Sequence, residues 1–226
     1  MLELVFILPI LTGIMAAFLP VQLGRGVLVV SALLHLQITA MGWFGKLSPS
    51  LPSYFSTAPE GMLVLLVTSF IFLLISIYAV SYMKEAEMDN EPIFIACMLF
   101  FLATMSMVAL ADHLIVLWTA IEATTLVSAP LIFLNRSKAA LEATWKYVLI
   151  CSVGIALALL GSFFITLSMD LGNVDVELTF SSLTAVAGQL DHVWLKAGFI
   201  FVLIGYGTKM GLAPMHTWLP DAHSQA

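Results

Sequence analysis

Charge is scarce in this sequence. Of its 226 residues only 10% are Asp, Glu, Lys or Arg, against roughly a quarter in a soluble domain. That scarcity excludes an ordinary globular domain. The eight Lys and Arg are scattered and build no basic patch, which excludes a nucleic-acid surface. There are only two cysteines, Cys97 and Cys151, and each falls inside an apolar run. A thiol so placed is a small packing residue, so neither a disulfide nor a metal site is expected. The N-terminus MLELVFILPILTGIMAAFLP lacks the positive flank of a cleaved signal peptide and reads as a retained first span. What is present is apolar surface: 61% hydrophobic residues and a mean hydropathy of +1.06. The sequence is that of an all-α, polytopic membrane helix bundle. Its net charge of −6 says little about partners, because most acids cluster between the apolar runs.

Crossing the bilayer core takes about 20 apolar residues in helix. Seven stretches meet or approach that length: roughly 2–20, 26–47, 61–82, 92–110, 113–134, 143–169 and 193–212. Pro20 ends the first, and Gly24-Arg25-Gly26 reads as a tight connection. LSPSLPSYFSTAPEG, 47–61, reads as an exposed loop, and the KEAEMDNE stretch, 84–91, as a polar loop with Pro92 opening the next helix. Asn135-Arg136-Ser137-Lys138 separates the fifth run from the sixth. The segment LTFSSLTAVAGQL, within 170–192, suits an amphipathic helix at the interface. Residues 1–91 hold three helices, and 92–226 the remaining four. Arg25, Lys84, Arg136 and Lys138 fall on one side and only Lys46 and Lys196 on the other, which places the N-terminus outside.

Two charges lie where charges are costly. Glu122 sits in LIVLWTAIEATTLVSAPLIFL and Lys209 in WLKAGFIFVLIGYGTKMGLAP. A charge at the middle of a membrane helix costs at least about 2.5–3.5 kcal/mol. Such residues face a bundle interior or wet cavity and mark ion or proton paths. The alternative is an inert buried ion pair that locks two helices together. Either way the two side chains are expected to approach across the bundle, within direct or one-water reach. After Lys209 come Gly211, Pro214 and Pro220, so the seventh helix is expected to break between 211 and 220. Broken helices of this kind form ion sites in transporters.

With those residues in view, a family resemblance appears. GTKMGLAPMHTWLPDAHSQA resembles the seventh-helix signature of the antiporter-like subunits of respiratory complex I. These are shared with group 4 membrane-bound hydrogenases and with multisubunit cation/proton antiporters. ALADHLIVLWTAIEATTLVSAPLIFL and TWKYVLICSVGIALALLGSFFI resemble the same family's fifth and sixth helices. The likeness covers residues 60–226 and is greatest to the hydrogenase-4 and formate-hydrogenlyase type. It implies two inverted five-helix repeats, helices four to eight and nine to thirteen, each a half-channel. The sequence stops inside the motif, at Ser224-Gln225-Ala226. The eighth helix and second repeat are therefore expected to be missing from it.

The resemblance assigns Glu122 and Lys209 as the family's coupled pair. A lysine in a low-dielectric site loses proton affinity by desolvation and regains it beside a carboxylate, whereas arginine stays protonated. The resemblance also implies a lysine at Lys146 that passes protons, against simple snorkelling to the surface. His216 and His223 flank Trp218, Pro220 and Asp221. They suit either a proton relay or hydrogen bonds that fix the broken helix, and Asp221 suits a cap or a histidine partner. No cofactor ligands are present, so redox centres are expected in partner subunits. Three readings follow. The first is a proton-translocating, or sodium-translocating, membrane subunit of a complex I-like (NADH:quinone oxidoreductase) or hydrogenase-type complex in a prokaryotic plasma membrane. The second is a subunit of a stand-alone sodium/proton antiporter. The third is a fragment that transports nothing.

Overall fold

A computed structural model describes residues 1–85, 90–134 and 136–225. Asn135 and part of the expected polar loop at 84–91 lie outside the described residues. Each of the seven apolar runs forms a helix. Six helices are long and apolar enough to cross a membrane, and a shorter apolar helix stands at the N-terminus. The chain divides into two compact units, residues 1–110 and 111–226.

The first unit holds α1 (Leu4–Phe18), α2 (Val21–Trp43), α3 (Pro59–Glu85) and α4 (Glu91–Leu110). The expected turn at Gly24-Arg25-Gly26 is corrected here: all three residues are helical, and the connection is Leu19-Pro20. Pro20 caps α2 because its ring fixes φ, at −56°, and it needs no N–H there. Arg25 is tolerated inside the helix because Glu91 of α4 accepts from its Nε and Nη2, at 2.8 and 2.6 Å. The unusual acid at position 3 also has a use. Glu3 Oε1 accepts from the backbone N–H groups of Ser50 and Leu51, tying the 47–58 loop to the start of α1.

The core of this unit is partly polar. His35 is fully buried, and its Nε2 and Nδ1 lie 2.8 Å from Ser106 Oγ and 2.9 Å from Ser69 Oγ. Both serine hydroxyls also reach the carbonyl four residues back, at 2.7 Å. Unpaired polar groups are costly in a bundle interior, so the three helices that carry these residues are tied in one rotational setting.

The second unit holds α5 (Leu114–Ile132), α6 (Lys138–Leu171), α7 (Phe180–Ala185), a 3-10 turn (Ala187–Gln189), α8 (His192–Met210) and α9 (Trp218–Gln225). α6 is longer than its apolar run because Ser137 caps it, Oγ accepting from Ala140 N at 2.9 Å. The expected interfacial helix shrinks to the six residues of α7, capped by Thr179. Its leading edge pairs with the start of α5, where Leu114 N donates to Leu178 O and Phe180 N to Asp112 O. Asp191 caps α8 by accepting from Val193 N and Trp194 N at 3.0 and 3.1 Å.

α6 and α8 pack backbone to backbone. Gly154, Ala158 and Gly161 face Gly198 and Gly205, and a β-carbon at Gly205 would fall 2.5 Å from the Ala158 amide nitrogen. Small residues of this kind let membrane helices approach closely. The approach fixes what α8 presents one turn beyond Gly205, at Lys209.

Candidate functional site

The break after Lys209 is built as expected, over residues 211–217. Gly211 adopts φ +83°, a left-handed conformation that a β-carbon would strain. Leu212 N then donates to Gly207 O at 2.9 Å and Gly211 N to Thr208 O at 3.2 Å. This paired closure satisfies the last carbonyls of α8. The chain then turns and restarts as α9. Pro220 lies in the first turn of that helix, where a missing N–H costs nothing. Trp218 folds α9 back: its Nε1 donates to Thr208 O at 2.9 Å, and its buried ring packs on Tyr147, Cys151 and Ala143 of α6.

Lys209 points inward, as the sequence requires. Its Nζ donates to Thr125 Oγ1 at 2.8 Å and to Tyr147 OH at 2.6 Å, and lies 4.7 Å from the centre of the Tyr147 ring. Tyr147 OH is 2.7 Å from Ser128 Oγ, and Ser128 reaches Thr124 O at 2.7 Å. The ammonium is thus held by neutral hydroxyls from α5 and α6 and by an aromatic face.

Glu122 lies one turn before Thr125 on α5. Ser152 of α6 donates to its Oε1 at 2.9 Å. Its Oε2 is buried and has no hydrogen-bond partner among the described residues. No ion pair joins Glu122 to Lys209 among the described residues. Each group instead hydrogen-bonds its own hydroxyls, Glu122 that of Ser152 on α6 and Lys209 those of Thr125 on α5 and Tyr147 on α6. Cys151, next to Ser152 on α6, is fully buried. α5 is clamped to α6 by Trp118, whose Nε1 donates to Ile155 O at 2.8 Å.

The other residues picked out from the sequence lie apart from the pair. Lys146 is half exposed and bridges Glu142 Oε1 at 2.7 Å and Asp221 Oδ2 at 2.8 Å. Asp221 is thus partnered by a lysine, and the bridge ties α9 to α6. These residues line a small open pocket of about 120 Å³ with Ala139, Ala143, Ser224 and Gln225. His216 is exposed within the break. His223 is exposed on α9, its ring edge-on to Trp218 with centroids 6.5 Å apart. The structure brings neither histidine to Glu122 or Lys209.

Tyr147, Thr125, Ser128 and Ser152 were not anticipated. A signal for two of them was present: Thr125 and Ser128 follow Glu122 at steps of three, the spacing of one helix face.

Residues 111–226 match the family described as NADH:quinone oxidoreductase/Mrp antiporter, transmembrane. Among curated relatives, the chain is 40% identical over 123 residues to a hydrogenase-4 component F homolog of Methylacidiphilum infernorum (isolate V4), covering 54% of this chain and 26% of that one. It is 28% identical over 163 residues to hydrogenase-4 component B of Escherichia coli (strain K12), covering 72% and 23%. It is 28% identical over 172 residues to NADH-quinone oxidoreductase subunit N of Polaromonas naphthalenivorans (strain CJ2), covering 74% and 33%. The chain therefore spans a quarter to a third of the length of these relatives. Among solved structures, its fold is similar to a chain of the membrane-bound sulfane sulfur reductase, an archaeal respiratory membrane complex. The TM-score is 0.84 at 18% identity, over 100% of this chain and 48% of that one. It is also similar to a chain of respiratory complex I from Thermus thermophilus, with TM-score 0.75 at 21% identity, over 98% and 47%. With its second unit matched from end to end, the chain belongs to the NADH:quinone oxidoreductase/Mrp antiporter transmembrane family.

Proposed function

We propose that this chain forms part of a proton-translocating membrane subunit of a complex I-like or hydrogenase-type redox complex in a prokaryotic plasma membrane. One observation carries the reading. A lysine amine is held inside the bundle by neutral hydroxyls, while a carboxylate with an uncommitted oxygen sits one turn before Thr125 on α5. An inert lock would pair the two charges directly, because an unpaired charge in a bundle interior is costly. A separated pair instead leaves the amine free to load a proton when carboxylate charge approaches and to release it when that charge withdraws. The relatives, two hydrogenase-4 components and a quinone oxidoreductase subunit, support a redox partner over a stand-alone sodium/proton antiporter. In this reading partner subunits hold the redox centres, and electron transfer there drives the relay. Sodium is the alternative ion.

The test uses the intact complex that contains this subunit, reconstituted in vesicles. Internal acidification is followed with electron transfer in parallel. Lys209→Ala is expected to abolish pumping while the complex still assembles. Lys209→Arg is expected to fail as well, because guanidinium keeps its proton. Pumping by Lys209→Arg at the parental rate would make Lys209 a fixed counter-charge and end this reading.

A further inference from the structure

The helix break after Lys209 does more than end α8: it brings back an indole. In an unbroken helix Trp218 would stand about 15 Å along the axis from Thr208. The break returns it to that same turn, where its Nε1 donates to Thr208 O at 2.9 Å. There its ring meets the ring of Tyr147, with centroids 5.1 Å apart and planes at 54°. The Tyr147 hydroxyl in turn accepts from Lys209 Nζ at 2.6 Å. Thr208 and Lys209 are joined by a peptide bond, so the contacts close on themselves: α8 backbone, indole, phenol, ammonium.

One part of this loop is fixed by other means. Thr208 is fully buried, and a β-carbon at Gly154 of α6 would fall 2.7 Å from its Cβ. The Gly211 and Leu212 amides close the same turn. The end of α8 therefore keeps its place without Trp218. The Tyr147 hydroxyl has no such anchor. It moves whenever its side chain turns on χ1, and its partners, Lys209 and Ser128, are themselves side chains. Packing on the ring has to aim it. Trp218 packs there, buried like Tyr147, and is pinned to backbone through its own N–H.

We propose that Trp218 is a positioning residue for the proton relay. Its indole takes its place from the last turn of α8 and sets the Tyr147 hydroxyl where the Lys209 amine meets it. The role rests on the relay proposed for Lys209 and Glu122. Among the described residues no hydrogen bond joins Trp218 to Lys209 Nζ or to Glu122, so it acts through Tyr147.

The intact complex is reconstituted in vesicles. Protons moved per electron transferred are measured for Trp218→Leu, Tyr147→Phe and the double variant, with the unfolding temperature alongside. Trp218→Leu alone is expected to lower the ratio about fivefold, the weight of one aromatic contact, and by less than Tyr147→Phe does. Added to Tyr147→Phe, it is expected to lower the ratio no further, because the hydroxyl it positions is gone. The unfolding temperature should still fall in both backgrounds, since the packing is lost in both. Such a cycle separates positioning from plain packing, whose effects would add. Trp218→Phe, which keeps a ring and gives up the N–H, is run in the same two backgrounds. It should cost about threefold beside the parental Tyr147 and nothing beside Tyr147→Phe, and it carries the test if Trp218→Leu does not assemble. A parental ratio in the Trp218 variants or in Tyr147→Phe, or an equal further loss in the Tyr147→Phe background, would overturn the proposal. Lys209→Ala in the same assay tells the two ideas apart. Pumping by that variant ends the relay and this role with it, whereas a dead Lys209→Ala with additive Trp218 losses ends the positioning role alone.

Discussion

Replacing Tyr147 with Phe isolates the hydroxyl that holds Lys209. The variant removes one oxygen and little else. The ring stays, so the contact with Trp218 at 5.1 Å between centroids and the ring face 4.7 Å from Nζ both survive. Ser128 loses a partner but keeps Thr124 O at 2.7 Å, so no buried hydroxyl is orphaned. Lys209 keeps Thr125. The net change is therefore one hydrogen bond to a charged donor, worth about 1.5–3 kcal/mol. The bond holds the lysine at its place in the bundle, and at about 1.36 kcal/mol per factor of ten its loss is expected to slow pumping by about tenfold or more. The assay is vesicle acidification by the intact complex, with electron transfer recorded alongside. Thr125→Val, which removes the other hydroxyl, should slow pumping as well. A parental rate in Tyr147→Phe, with assembly normal, would show that the hydroxyls do not govern the lysine.

Other perturbations test the frame around the site. Gly205→Ala places a methyl 2.5 Å from Ala158 N and 2.6 Å from Gly154 O. These are backbone atoms that cannot swing aside, so α6 and α8 must part at a cost of about 1–3 kcal/mol. Thermal unfolding in detergent should show the loss, whereas Gly188→Ala, whose β-carbon meets nothing within 4 Å, should not. Trp218→Phe keeps a ring in the cluster but gives up the bond to Thr208 O, worth about 1 kcal/mol. Limited proteolysis within 211–217 should quicken. Arg25→Gln strands the Glu91 carboxylate and should lower the unfolding temperature, and adding Glu91→Gln should restore part of it. A double-mutant cycle measures that coupling.

The outline of the fold and the two charges of the site were legible because each contradicts its surroundings. An acid and a lysine inside apolar runs stand out by solvation cost alone, and Gly211 with Pro214 marks a break by backbone geometry alone. Tyr147, Thr125 and Ser128 were hidden for the opposite reason. A hydroxyl on a membrane helix can bond the carbonyl one turn back, as Thr144 and Thr208 do here at 2.7 Å. Its presence therefore says nothing about a partner until the rotation of each helix is known. That rotation comes from contacts far apart in sequence, such as Gly205 against Ala158 and Trp118 against Ile155 O. Arg25 misled in a related way. Flanked by glycines it looked like a turn, and the partner that lets it stay helical, Glu91, lies in α4.

The end of α8 carries a consequence for the lysine beside it. Lys209 stands in the last turn of that helix, where the summed peptide dipoles leave about half a negative charge. Helix ends normally spend that partial charge in water, where it is screened. Here the last carbonyls are closed by the Gly211 and Leu212 amides, and Trp218 donates to Thr208 O. The site thus contains a negative pole that neither titrates nor moves. In the proposed relay, this pole is the fixed contribution at Lys209 and Glu122 the adjustable one.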